Sequence, residues 1–477
     1  VNSPRETAHR SDGWHPLWWR VAAGVRRLSP SSRHPARLVV FGFGAVAVIG
    51  TALLMLPVAT ESRTSTGVVT ALFTAVSAVC VTGLVVVDTE SHWSTFGELL
   101  ILGLIQIGGL GIMTLASLLG LLVARRMGLR MQLIAQSETK TLRLGESRQV
   151  VVGVIRMSLL VEALVAVVLT IRFMTGYDET GWRGVYLGVF HAISAYNNAG
   201  FALYEDSLIG FATDPWIIVP ITVAFIIGGL GFPVVFEVRR SLRRRMPAGS
   251  PPHRWSVHTK ITLITYFLLA AVGIPAIIAF EWTNPATLGP FNTAHKLLVG
   301  GFHGLSPRTA GFNSLDVGAM NSSTLLINDI LMFIGGGSAG TAGGIKVTTF
   351  ALLAFVIMAE VRGEPTVHVL GRRLAAPVQR QAVTVALLSV GAVVFGTVTL
   401  LSITGMDLDV VLFEVVSAFA TVGLSTGITA GIPDPGLIVL TVLMFIGRLG
   451  PITLATALAL RERGRRYELP EERPIVG

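Results

Sequence analysis

Four glycines, Gly83, Gly200, Gly311 and Gly423, each close a short apolar segment, and each is followed by an apolar residue. The segments read Ala78-Val79-Cys80-Val81-Thr82-Gly83, Ala195-Tyr196-Asn197-Asn198-Ala199-Gly200, Ser306-Pro307-Arg308-Thr309-Ala310-Gly311 and Ala418-Phe419-Ala420-Thr421-Val422-Gly423. The glycines recur at intervals of 117, 111 and 112 residues. The chemistry open to such segments is that of the backbone: a ring of carbonyl oxygens can replace the hydration shell of a cation. Turning successive carbonyls toward one axis requires φ > 0, which glycine adopts without steric cost. One copy alone reads as a helix-capping turn. Four copies in register favour a selectivity filter lined by Val81, Thr82 and Gly83, by Asn198, Ala199 and Gly200, by Thr309, Ala310 and Gly311, and by Thr421, Val422 and Gly423.

A second signal follows each glycine in register. It reads Ile107-Gly108-Gly109-Leu110-Gly111, Ile227-Gly228-Gly229-Leu230-Gly231, Ile334-Gly335-Gly336-Gly337-Ser338 and Ile446-Gly447-Arg448-Leu449-Gly450. The third copy continues into Gly340, Thr341, Gly343, Gly344 and, past Ile345, Lys346. Each glycine costs a helix up to about 1 kcal/mol, so this run predicts a broken helix. Irregular backbone at membrane depth is tolerated only inside protein or along a cavity, which makes the run a candidate gate below the filter. A phosphate-binding loop is disfavoured, because Ile345 separates Gly344 from Lys346 where that motif needs Gly-Lys adjacent.

Arg448 stands where the other copies have Gly109, Gly229 and Gly336. By repeat symmetry it faces the pore beneath the filter, where a positive charge would repel a cation and could hold the loop through carbonyl contacts. Asp88, Glu205 and Asp316 lie five residues past the first three glycines. They are candidates for an acidic outer mouth that concentrates cations, or for ordinary loop charge.

The elements that must position these residues follow from composition. The chain has 477 residues, 52% hydrophobic and 14% charged, with a mean hydropathy of +0.67. A soluble domain carries about 25% charged residues, so a soluble enzyme and a disordered chain are excluded. The lone Cys80 rules out an internal disulfide, and no nucleophile–base pair or metal constellation suggests an enzyme. Eight long apolar stretches, 38–57, 94–123, 149–171, 215–238, 260–280, 324–358, 382–403 and 435–460, alternate with shorter ones at 68–80, 184–196, 294–304 and 408–419. The short ones cannot span a bilayer and read as re-entrant.

The 37 lysines and arginines sort by side. Twenty-nine fall in the tails and in loops 124–148, 239–260 and 359–381, and four (Arg63, Arg183, Lys296, Arg308) fall between. The remainder lie within long apolar stretches. The skew predicts cytoplasmic termini and makes the net charge of +9 topogenic, with no nucleic-acid partner. Arg239, Arg240, Arg243, Arg244 and Arg245 are also candidates for contact with membrane lipid.

Each unit therefore reads outer helix, pore segment, inner helix. Two spanning helices per unit give all four the same orientation. The fold expected is an all-α polytopic membrane protein of four parallel membrane–pore–membrane repeats with pseudo-fourfold symmetry around a central pore. The divisions are a cytoplasmic tail 1–36, repeat A 37–123, repeat B 124–238 with its preceding cytoplasmic loop, repeat C 239–358 with the intramembrane loop, repeat D 359–460 and a cytoplasmic tail 461–477. A cation-coupled carrier of another solute is the alternative; it predicts inverted repeats and a mid-membrane carboxylate, for which Glu162 is the main candidate.

The four pore segments and the third inner helix resemble the Trk/Ktr/HKT superfamily of potassium transporters, in particular its KtrB-type membrane subunit. The resemblance covers residues 37 to 460. It implies that Gly83, Gly200, Gly311 and Gly423 are filter glycines of the potassium-selective kind, that the broken third inner helix is the gating loop, and that Arg448 is the gating arginine. It further implies K+ as the transported ion, Na+ as a candidate activator and no organic cofactor. The partners implied are a second copy in a homodimer and a cytosolic ring of nucleotide-binding regulatory subunits of the KtrA type. The implied location is the cell membrane.

Overall fold

A computed structural model describes residues 35–126, 146–179, 181–243 and 255–450. The expected tails 1–36 (all but its last two residues) and 461–477, most of loop 124–148, Arg244, Arg245 and the stretch beyond residue 450 lie outside the described residues.

The expected order of elements is present. Repeat A comprises α1 (Pro35–Leu54), α2 (Val68–Val79) and α3 (Thr95–Arg126). Repeat B comprises α4 (Glu146–Gly176), α5 (Trp182–Asn197), α6 (Pro215–Leu230) and α7 (Phe232–Arg243). Repeat C comprises α8 (Val257–Glu281), α9 (Thr293–His303), α10 (Ser322–Phe333) and α11 (Val347–Val361). Repeat D comprises α12 (Ala376–Thr404), α13 (Leu408–Ala420) and α14 (Asp434–Leu449). A two-residue-per-strand hairpin, His368–Val369 with Arg372–Arg373, joins repeats C and D.

Local chemistry sets the ends. Asp214 accepts the Trp216 N–H at 2.9 Å and Pro215 starts α6, while Ser256 and Asn292 cap α8 and α9 through Thr259 and His295. The short helices α2, α5, α9 and α13 have 12, 16, 11 and 13 residues. At about 1.5 Å per residue they fall short of a ~30 Å hydrocarbon core. Residues 149–176, α8 and α12 are each long and apolar enough to cross a membrane. The outward face of α12 carries Phe395 at 72% exposure and Leu387 at 68%; helices apolar on all sides belong in lipid or a core.

Among the described residues, two inner helices are broken. The second turns by 105° between α6 and α7. The hinge is Gly231, at φ 87, and Pro233 sits in the first turn of α7. The third breaks between Phe333 and Val347, at the glycine run.

Packing closes a ring. Inner helix α3 packs on pore helix α5, α6 on α9, α10 on α13, and α14 on α2. Each inner helix thus supports the next repeat's pore helix, and the last supports the first. That is the cyclic arrangement expected of four like-oriented repeats about one axis.

Candidate functional site: four glycines and the loop beneath them

Near the C-terminal end of each pore helix stands a buried serine: Ser77, Ser194 and Ser417 in the last turns of α2, α5 and α13, and Ser306 three residues past the end of α9. Its carbonyl accepts the N–H of the residue just before the key glycine, namely Thr82 (2.7 Å), Ala199 (2.8 Å), Ala310 (2.9 Å) and Val422 (2.9 Å). Its hydroxyl brackets the same turn. Ser77 Oγ donates to the Leu84 carbonyl at 2.8 Å and accepts the Gly83 N–H at 3.1 Å. Ser194 and Ser306 donate to the Phe201 and Phe312 carbonyls, and Ser417 accepts the Gly423 N–H at 3.1 Å. The serines precede or open the aligned segments, so their recurrence was visible in sequence but unread.

Between serine and exit the backbone alternates. Gly83, Gly200, Gly311 and Gly423 have φ of 93, 69, 76 and 95, as expected. Two positions earlier Val81, Asn198, Thr309 and Thr421 are also left-handed, at 57, 59, 76 and 50. That second set was not foreseen. For a β-branched residue such a φ is a genuine outlier, and strain of this kind concentrates at functional sites.

The glycines converge. A Cβ on Gly83 would strike the Ala199 carbonyl oxygen, and one on Gly200 would lie 2.8 Å from Gly311 Cα. One on Gly311 would strike the Val422 carbonyl oxygen, and one on Gly423 that of Thr82. The sequence A to B to C to D to A closes on itself. Glycine is therefore required twice over at these positions, for its φ and for the absence of a side chain between four segments meeting at one axis.

Immediately beside them lies the loop between α10 and α11. Gly335 N–H donates to Ile345 O at 2.8 Å and Val347 N–H to Gly336 O at 3.0 Å, which pins the two stems. Gly337 N–H and Thr341 N–H donate to the carbonyls of Gly229 (2.8 Å) and Gly228 (3.2 Å), at the broken end of α6. Those carbonyls are free because α6 stops at Leu230. Gly340 N–H reaches Gly337 O, Ser338 Oγ meets Thr348 Oγ1 at 2.9 Å, and Gly344 has φ 63. Lys346 Nζ donates back to the Ala342 carbonyl and to that of Gly343 at 3.4 Å. A Cβ on Gly343 would collide with Thr421 Oγ1.

Arg448 is buried at 4% exposure. Its guanidinium donates to the Thr341 carbonyl, in the loop, and to the Gly108 carbonyl at 3.1 Å, in the first inner helix. The sequence-derived gate residues, Gly335, Gly336, Gly337, Ser338, Gly340, Thr341, Gly343, Gly344, Lys346 and Arg448, are thus one assembly. Gly108, Gly228 and Gly447 let the inner helices touch the pore helices, since a Cβ there would meet the Val79, Tyr196 and Phe419 carbonyls.

The three acids expected at an outer mouth are spread. Asp88 accepts from Ser91 N–H and Ser91 Oγ, both at 2.7 Å, and Asp316 accepts the Gly318 N–H at 3.0 Å, so each caps a turn; Glu205 is exposed. Arg183 offsets part of the local charge through Glu90 (2.7 Å) and Glu179 (3.1 Å). Arg308, counted by segment with the outer charges, is instead 1% exposed. It lies 4.1 Å over the Tyr266 ring and donates to the Tyr266 carbonyl at 2.5 Å. Glu162 is also buried, and accepts from Ser158 (2.7 Å), Gln106 (3.2 Å) and Asn197 (3.4 Å).

Residues 16–467 match the sequence model of the TrkH family, described as a cation transport protein. The chain is 38% identical over 435 residues to the Ktr system potassium uptake protein B of Bacillus subtilis, covering 91% of this chain and 95% of that one. It is 39% identical over 443 residues to the protein of the same name in Vibrio alginolyticus, covering 92% and 94%. With the potassium/sodium uptake protein NtpJ of Enterococcus hirae the identity is 32%, over 93% and 97%. Among solved structures, the potassium transporter TrkH from Vibrio parahaemolyticus superposes with a TM-score of 0.69 at 19% identity, covering 91% of this chain and 86% of that one, and shares the fold. A multi-pass ring of parallel repeats and a family match across nearly the whole chain agree: the chain belongs to the TrkH family of membrane cation transport proteins, and not to an enzyme family.

Proposed function

We propose that this chain is the membrane subunit of a potassium uptake system, moving K+ through a filter made by its four pore segments. The observation that carries the reading is the closed ring of left-handed glycines, each abutting the next repeat. Carbonyls of Val81, Thr82, Asn198, Ala199, Thr309, Ala310, Thr421 and Val422, with those of the glycines, are the proposed ligands that stand in for water. The C-terminal ends of α2, α5, α9 and α13 add partial negative charge beside the path.

The loop 334–346 is the gate in this reading, held by Arg448 from the neighbouring repeat D. Asp88, Glu205 and Asp316 add a modest cation-attracting field at the outer mouth. The repeat boundaries given above are the proposed divisions, with both termini cytoplasmic. With no nucleotide site in the sequence, ion gradients or the membrane potential drive transport. The reading includes a Ktr-type assembly, in which a homodimer of this chain sits on a nucleotide-binding regulatory ring, with Na+ as a candidate activator; the names of similar proteins reach as far as a Ktr system and potassium/sodium uptake.

The test is rubidium uptake into proteoliposomes with sodium as competitor. Gly83→Ser should lower discrimination against sodium, because a side chain must displace the Ala199 carbonyl it meets. Unaltered discrimination at normal expression would sink the filter assignment.

A further inference from the structure

The strained residues two places ahead of the glycines touch the loop or its anchor. Asn198 Oδ1 accepts the Thr341 hydroxyl at 2.8 Å, while its Nδ2 donates to Thr309 Oγ1 of the neighbouring repeat at 3.3 Å. Thr309 Cγ2 lies 3.5 Å from where a Cβ on Gly335 would stand, and Thr421 Oγ1 abuts Gly343. Val81 Cγ2 lies 3.0 Å from a Cβ position on Gly108, the residue whose carbonyl holds Arg448. Three filter segments therefore rest on the loop itself, and the fourth rests on the other carbonyl that Arg448 grips.

A left-handed valine or threonine persists only where its surroundings over-determine it. Here the serine bracket fixes each segment from the pore-helix side and the loop fixes it from the other. We infer that the intramembrane loop supports the filter as well as blocking the path. Thr341, acting through Asn198, is then a positioning residue for ion selectivity, so discrimination between cations depends on where the loop sits. This rests on the filter-and-gate reading above and adds a link between its two parts.

Thr341→Val tests it. Valine keeps the shape of threonine, and the main chain keeps its bonds to Gly228 and Arg448; what is lost is the hydroxyl's 2.8 Å bond to Asn198 Oδ1 and its long 3.5 Å contact with the Tyr196 carbonyl. In the full chain reconstituted in liposomes, rubidium uptake competed by sodium should show about a fivefold fall in discrimination, the effect of one net hydrogen bond. Thr341→Ser should restore most of it. Asn198→Ala combined with Thr341→Val should do no more than the stronger single change, because both remove the same bond.

If Thr341→Val fails to accumulate, Thr341→Ala gives the same readout. A parental sodium-to-rubidium ratio in the Thr341 variants, or additive losses in the double variant, overturns the link. Gly83→Ser, run alongside, separates the two failures. Altered selectivity there with none at Thr341 removes the support role and leaves the filter standing. No change in either removes both.

Discussion

Replacing Arg448 by alanine should open the path, and the structure sets the size of the effect. The guanidinium makes two contacts, to the Thr341 carbonyl and to the Gly108 carbonyl. Gly108 belongs to α3, which is continuous through this region and packs on α5. A bond to a fixed helix is present whether the loop is in or out, so it does not bias the gate. Only the Thr341 bond differs between the two positions. A hydrogen bond involving a charged group contributes about 1.5–3 kcal/mol. Its loss shifts the closed-to-open ratio by roughly 10- to 150-fold, at about 1.4 kcal/mol per factor of ten. An arginine at mid-membrane also costs about 2.5–3.5 kcal/mol, so its removal should leave overall stability nearly unchanged. The assay is initial rubidium uptake per reconstituted protein, with thermal unfolding in detergent measured on the same samples. The expected pattern is uptake raised tenfold or more with a similar unfolding temperature. Unchanged uptake by well-folded protein would refute the gate role. A large fall in unfolding temperature would mean that Arg448 is a structural tie instead.

Two further changes probe the supports of the same site. Ser77→Ala leaves the buried Gly83 N–H and Leu84 carbonyl without their side-chain partner; at about 1–3 kcal/mol for each buried group left unpaired, the unfolding temperature and the discrimination against sodium should both fall. Gly231→Val forces a β-branched residue to φ 87 and drives it into the Ser338 carbonyl, so the loop should lose its seat on α6. Uptake should rise while stability falls by about 1–3 kcal/mol, and a variant with parental values on both counts would remove Gly231 from the gate.

The glycines were legible because glycine answers two separate physical demands at those positions, and nothing else can. The broken third inner helix was legible for a related reason, since so many glycines cannot hold a helix at membrane depth. Val81, Thr309 and Thr421 gave no such signal. Their left-handed backbone is imposed by neighbours from other repeats, and their side chains argue against it; only Asn198 is a type that visits the region readily. The burial of Arg308 was not legible, because counting charges by segment says nothing of what wraps a charge between spans. A pore segment is wrapped in protein, and this arginine meets a carbonyl through one nitrogen and an aromatic face through its plane. Gly231 closes the second glycine signal, and its spacing alone does not separate a hinge from a packing glycine. The actual hinge is a full 105° turn, which needs a left-handed residue and not merely a missing N–H.

One aligned position shows why four repeats on one chain differ from four identical subunits. Gly109, Gly229, Gly336 and Arg448 occupy it. In repeat A the helix runs on through it, and its neighbour Gly108 offers a carbonyl to the arginine. In repeat B the Gly229 carbonyl seats the loop; in repeat C the position is part of the loop; in repeat D it is the arginine that grips the loop. A symmetric tetramer would carry all four copies of whichever residue it chose. Four arginines would repel one another around a cation path, and four loops would compete for one seat. In the proposed reading, covalent linkage lets the filter keep its near-fourfold ring while the layer beneath it becomes a single asymmetric plug with one lock. The asymmetry is what makes single-site changes at Arg448, Gly231 and Thr341 separable experiments, since each acts on one contact of the loop rather than on four at once.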